Sequence, residues 1–143
     1  MKSKSLFLLL ILLNSCNLDV VESYYKDYEN ALNKGFNGNG YFPKEFMLKS
    51  IISIRTILNM DSQEALCKFQ ISDTSDWNKI FTVLNKCDLK YIEPTSFKIP
   101  KWWNLEIEKR QLLCFTDEFG RTFQFAIDQN SRTIFTWYTR DKK

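Results

Sequence analysis

The chain has 143 residues, 44% hydrophobic and 15% aromatic, and carries 20 basic against 17 acidic side chains. A net charge of +3 over this length gives no basic footprint for nucleic acid and no acidic, disorder-prone tail. There is no histidine. The commonest general base and metal ligand is therefore missing, and serine–histidine, cysteine–histidine and histidine-bearing zinc sites are excluded.

The chain opens with Lys2-Ser3-Lys4-Ser5. Residues 6–13 follow as an unbroken run of Leu, Phe and Ile, and Asn14-Ser15-Cys16 closes the stretch. A charged start, a short apolar run and a small-residue end form the layout of a secretory signal peptide. The run is eight residues long, whereas a helix crossing the hydrocarbon core needs about twenty. It has no polar face, so it is not an amphipathic surface helix. Leu13-Asn14-Ser15-Cys16 resembles a bacterial lipobox, which implies cleavage before Cys16 and acylation of its thiol. Two or more acyl chains, at about 0.8 kcal/mol per buried CH₂, hold a protein firmly on a bilayer. The expectation is an exported chain, lipid-anchored through Cys16 to a bacterial membrane. The mature chain from Cys16 would have 128 residues, 143 minus 15, and a charge near +1, because Lys2 and Lys4 leave with the signal.

Residues 16–22 read as a tether and residues 23–143 as one globular domain, the usual size for a single core. Tyr24, Tyr25, Tyr28, Ala31 and Leu32 recur at helical spacing. Ser23 is the expected cap, and Gly35 the left-handed terminator. Residues 35–40 hold three glycines, but they lack the Lys-Ser/Thr ending of a phosphate loop and do not follow a strand. Residues 50–58 and 64–71 alternate and are joined by the polar residues 59–63; the second reads as a strand and the first as a strand or a short helix and loop, its four isoleucines arguing for extension. Asp73 and Asp76 open an amphipathic helix carrying Trp77, Ile80, Phe81, Leu84 and Cys87. Residues 95–105 show no period. The last third reads as a three-stranded meander over residues 112–116, 122–127 and 133–139, with Asp, Asn, Ser and Gly in both turns. The fold class expected is α+β: an antiparallel sheet of about four to five strands with two helices packed on one face.

The order of features between residues 24 and 138 resembles the YbbD head domain family of bacterial lipoproteins. The likeness is carried by the Tyr-rich first helix ending in Lys34-Gly35 and by Gly40-Tyr41-Phe42-Pro43. It continues through Ser50-Ile51-Ile52-Ser53-Ile54-Arg55, Asn59-Met60-Asp61-Ser62-Gln63, Pro100-Lys101-Trp102-Trp103 and Phe135-Thr136-Trp137-Tyr138. Tyr41-Phe42 stands where that family usually has Trp. The resemblance implies a lipoprotein domain and transfers no activity, cofactor or functional residue.

Several groups invite a chemical reading. Beyond Cys16, the cysteines are Cys67, Cys87 and Cys114; an exported compartment permits one disulfide among them, and three small buried thiols are the other reading. Trp102 and Trp103 form the candidate binding surface, a stacking platform for a sugar ring or an anchor for a protein partner. They also read as a plug for the core, and since neighbours in extended chain point opposite ways, one can be buried and the other exposed. Asp61 with Glu64, or Glu106 with Glu108, are the acid pairs available for glycoside hydrolysis. No catalytic, cofactor or metal residue is assigned. The function expected is a membrane-anchored binding or interaction module of the cell envelope, whose partner is an envelope protein or glycan; the alternative is a small envelope hydrolase acting on cell-wall glycan.

Overall fold

Three hairpin turns, each built around an Asx side chain, set the frame of the computed structural model, which describes residues 20–36, 41–88, 90, 93–103, 106 and 110–139. Asn59 Oδ1 accepts the Asp61 and Ser62 N–H at 3.0 and 3.1 Å. Asp117 Oδ1 accepts the Phe119 and Arg121 N–H, both at 2.9 Å. Asp128 Oδ1 accepts the Asn130 N–H at 3.1 Å. Such bonds mimic a backbone turn and fix the register of the flanking strands. Gln63 (φ 55°), Gly120 (φ 76°) and Arg132 (φ 48°) take the left-handed conformation late in each turn.

The strands so paired belong to one antiparallel sheet. In chain order they are β1 (Val20–Asp27), β2 (Ile51–Asn59), β3 (Glu64–Ile71), β4 (Asn85–Lys86), β5 (Leu113–Thr116), β6 (Thr122–Asp128) and β7 (Thr133–Tyr138). Two short helices, α1 (Tyr28–Asn33) and α2 (Thr74–Val83), and a 3-10 turn at Lys44–Phe46 complete the elements. The spatial order is β1-β2-β3-β7-β6-β5-β4. The C-terminal meander thus docks β7 against β3, with Phe69 opposite Ile134 and Leu66 opposite Trp137.

Residues paired in register share a face, and successive residues alternate between faces. One face carries Ile54, Cys67, Phe69, Phe123, Phe125 and Ile134. It is covered by Ala31 of α1, Ile80 of α2 and the loop aromatics Phe36, Phe42 and Phe46. The other carries Ile57, Leu66, Ala126, Phe135 and Trp137, covered by Trp103 with Phe97, Ile99, Trp102 and Leu112 packed beside it. The sheet is therefore apolar on both faces, which explains the dense hydrophobic runs in β3 and β7. Trp137 is 1% exposed; its indole N–H donates to Gln124 Oε1 at 2.6 Å, and Gln124 Nε2 donates to the Lys90 carbonyl at 3.2 Å. Truncating an aromatic side chain of this kind costs about 3–5 kcal/mol.

The mixed α+β class is as expected, but seven strands replace the expected four to five. The helix expected over 24–34 is split. Residues 20–27 pair with β2, Tyr25 lying opposite Ile54, and only Tyr28–Asn33 is helical. Tyrosine fits a strand better than a helix, and the open edge of β2 supplies backbone partners that an isolated helical turn lacks. Asp27, not Ser23, is the cap: its Oδ1 accepts the Asn30 N–H at 2.8 Å. Gly35 (φ 75°) does end the helix, with its N–H on Leu32 and the Phe36 N–H on Ala31, both at 2.9 Å. The tether expected over 16–22 gives up residues 20–22 to β1. Likewise Leu84 and Cys87 fall beyond α2, and Asn85–Lys86 pairs with β5 as the outermost strand. The glycines of 37–40 lie outside the described residues.

Candidate functional site

The second covering layer, drawn from residues 93–103 and 110–112, decides where the surface opens. Two strand side chains and one of its own hold it to the sheet. Glu64 of β3, 5% exposed, accepts the Ser96 N–H at 2.9 Å and the Thr95 N–H at 3.2 Å. Glu22 of β1 accepts the Trp102 indole N–H at 2.6 Å. Arg110 donates to the Ile127 carbonyl of β6 at 2.9 Å. Over β2 and β3 its edge is formed by Lys101-Trp102. Beyond that edge lies a cavity of about 490 Å³, lined by Ser53, Arg55, Lys68, Gln70, Lys101 and Trp102.

The geometry of this groove follows from strand register. Arg55 and Lys68 are partners across β2 and β3, so both cations leave the same face side by side. Like charges directly opposite one another destabilise a sheet, where a good cross-strand pair contributes about 0.2–1 kcal/mol. Lys101 adds a third cation from the covering layer. Among the described residues none of the three lies in an ion pair, and no carboxylate lines the groove. Aromatic rings hold two of the cations. The Arg55 guanidinium sits 5.2 Å from the Tyr24 ring centre and the Lys68 ammonium 5.1 Å from that of Phe135. Lys68 also donates to the Trp102 carbonyl at 3.5 Å. These contacts are individually weak, about 0.5–1 kcal/mol at exposed sites, but they restrict where the charged ends point.

A β-bulge bends the floor. The β2–β3 register slips between Ile52 and Arg55, and Ser53 takes φ 55°. A non-glycine residue in this region costs about 1–2 kcal/mol, and such strain concentrates where a strand is re-aimed beside a site.

The sequence-derived candidates fall as follows. Trp103 is 4% exposed and packs edge-on to Phe135 and Trp137 at 5.5 and 5.9 Å; it belongs to the core. Trp102 is half-buried and forms a wall of the groove. Cys16 lies outside the described residues, and among those residues no helix is long and apolar enough to cross a membrane. Asp61 and Glu64 do not form an acid pair for catalysis, because the Glu64 carboxylate is buried and committed to backbone N–H groups. Glu108 lies outside the described residues. Asp73 caps α2, accepting the Asp76 N–H at 2.9 Å. Asp76 binds Lys79 at 2.8 Å and Ser50 at 2.7 Å; these bonds hold its carboxyl below the usual carboxylate range. Cys87 and Cys114 are disulfide-bonded. Cys67 is free, and burial pushes its thiol pKa up, so it offers no thiolate at neutral pH.

The cations Arg55 and Lys68 and the strained Ser53 were not picked out as a site from the sequence, although a signal was there. Arg55 lies four residues before Asn59 and Lys68 four after Glu64, and Asn59 and Glu64 are partners at the turn. Reading the hairpin register outward from the polar turn puts the two cations face to face. The contribution of Lys101 needs the tertiary fold.

No family model matches the chain, and it matches neither a curated protein nor a solved structure.

Proposed function

We propose that this chain is a lipid-anchored protein of the bacterial cell envelope that binds a ligand and does not transform it. One observation carries the reading: three cations line an open groove beside Trp102, with no carboxylate among its described lining residues. That arrangement attracts and orients an anion. A proton-transfer pair or an activated nucleophile is not assembled there, since neither Glu64 nor Cys67 is available for chemistry. The lipobox-like Leu13-Asn14-Ser15-Cys16 supports the anchor, and the resemblance to the YbbD head domain family of lipoproteins agrees with it.

Two measurements in the native host test this. Wild-type protein should fractionate with membranes in a processed, acylated form, and Cys16→Ala should not; a Cys16→Ala protein that still partitions wholly with membranes would overturn the anchor. A photo-cross-linker at Gln70 should then capture one envelope component, and Arg55→Gln with Lys68→Gln should abolish the capture. Capture that ignores those charges would overturn the groove. Loss of glycan turnover on replacing a single carboxylate would favour the hydrolase.

A further inference from the structure

We infer that the groove takes a phosphate monoester carried on a sugar-sized ring. The inference rests on the binding role proposed above and adds the chemistry of the ligand.

The charged and hydroxylic groups lining the groove are donors: the Arg55 guanidinium, the Lys68 and Lys101 ammonium groups and the Ser53 hydroxyl. They come from β2, β3 and the covering layer, so three segments supply cations to one groove. A carboxylate offers two oxygens in one plane, which a single guanidinium satisfies. A phosphate monoester carries about −1.5 to −2 charges on three strong acceptor oxygens, a better match to three cations on three segments. A bound dianion would also screen the like charges of the cross-strand partners Arg55 and Lys68. Glu22, the acid next along β1 on this face, accepts from the Trp102 indole at 2.6 Å and thereby holds that ring as a wall. An amphipathic ring lies well against such a wall. The volume, about 490 Å³, falls within the range of small-molecule sites.

The test titrates the full chain, in non-ionic detergent, with glucose 1-phosphate, inorganic phosphate, glucuronate and glucose. Saturable binding of glucose 1-phosphate is expected, at least tenfold tighter than inorganic phosphate or glucuronate, with none for glucose. Arg55→Gln with Lys68→Gln should weaken it at least tenfold. The double variant relieves a like-charge pair but loses two ring contacts and the Lys68 bond to the Trp102 carbonyl, so its thermal melt is measured alongside and a cooperative transition is expected. Lys101→Gln, at an exposed position, provides a second variant and should weaken binding severalfold. Phosphatidic acid doped into the micelles should compete if the natural source is a lipid headgroup and should leave the titration unchanged if it is soluble; either result fits the chemistry. Glucuronate binding as tightly as glucose 1-phosphate would overturn the phosphate assignment and leave the groove a ligand site. Failure of all four probes, with charge-dependent cross-linking at Gln70 intact in cells, would overturn this ligand class alone. Failure of both would remove the groove from function altogether.

Discussion

Asp117 shows how much one side chain carries in this sheet. Its side chain is 5% exposed, it closes the β5–β6 turn through two backbone N–H groups, and it ion-pairs with Arg121, whose Nε donates at 2.7 Å. Burial acts to raise its pKa, but the backbone and guanidinium bonds from Arg121 and the Phe119 N–H outweigh burial and hold it below the usual carboxylate range. A carboxyl depressed by folding contributes stability above its unfolded value near pH 4, and that stability is lost as pH falls through the folded value. Asp117→Asn should therefore cost about 1.5 kcal/mol at pH 7, and the gap to wild type should be smaller at pH 3. Urea unfolding at the two pH values checks this, and an equal gap at both would refute it. The same reasoning separates Glu64 from catalysis: a buried acid whose oxygens already accept backbone N–H groups is part of the scaffold. Sequence alone could not tell Asp117, Glu64 and Asp61 apart, because each is an acid in or beside a polar turn, and only burial distinguishes them.

At the scale of elements, the legible parts were those whose period had one reading. β2, β3, β6 and β7 alternate between polar turns, and α2 combines an Asp cap with a single apolar stripe. β1 was not legible because Tyr24, Tyr25 and Tyr28 satisfy both periods, and the free edge of β2 decides between them. β4 is two residues long and has no period to read. The sequence of the covering layer also lacks one, although its adjacent tryptophans divide between core (Trp103) and groove wall (Trp102). β4 hangs on the sheet edge by its pairing to β5 and by the Cys87–Cys114 bond, which closes a separation of 27 residues. A loop of this size contributes about 3 kcal/mol through the unfolded state. Cys87→Ser with Cys114→Ser should lower stability in urea by about that amount. Of Cys67, Cys87 and Cys114, only Cys67 should be alkylated in unreduced, denatured protein; three alkyl groups by mass would rule the bridge out.

At the scale of the molecule, both ends of the described chain leave the sheet at the end where the β2–β3 turn lies. Val20 pairs with Asn59 beside the β2–β3 turn, and Tyr138 pairs with Ala65 just across it. The groove, at Ser53 and Arg55, lies toward the opposite end. An eight-residue Gly/Ser insertion after Leu18 should leave thermal stability within about 0.5 kcal/mol, as surface changes away from packed features do. Energy transfer from a dye at position 70 to an acceptor on the membrane surface should fall. Unchanged transfer would show that the attachment is not through Cys16.

The first paired residue, Val20, comes four steps after Cys16, and four residues of chain span at most about 14 Å. From Asn59 to Arg55 is a further 13 Å or so along β2. With the grease at Cys16, the cationic mouth cannot rise more than roughly 30 Å above the headgroups. On that proposed anchor the mouth would stay within a thin skin of the periphery and search in two dimensions. A molecule farther out would go unmet whatever its affinity, so altitude would select the cargo before charge does.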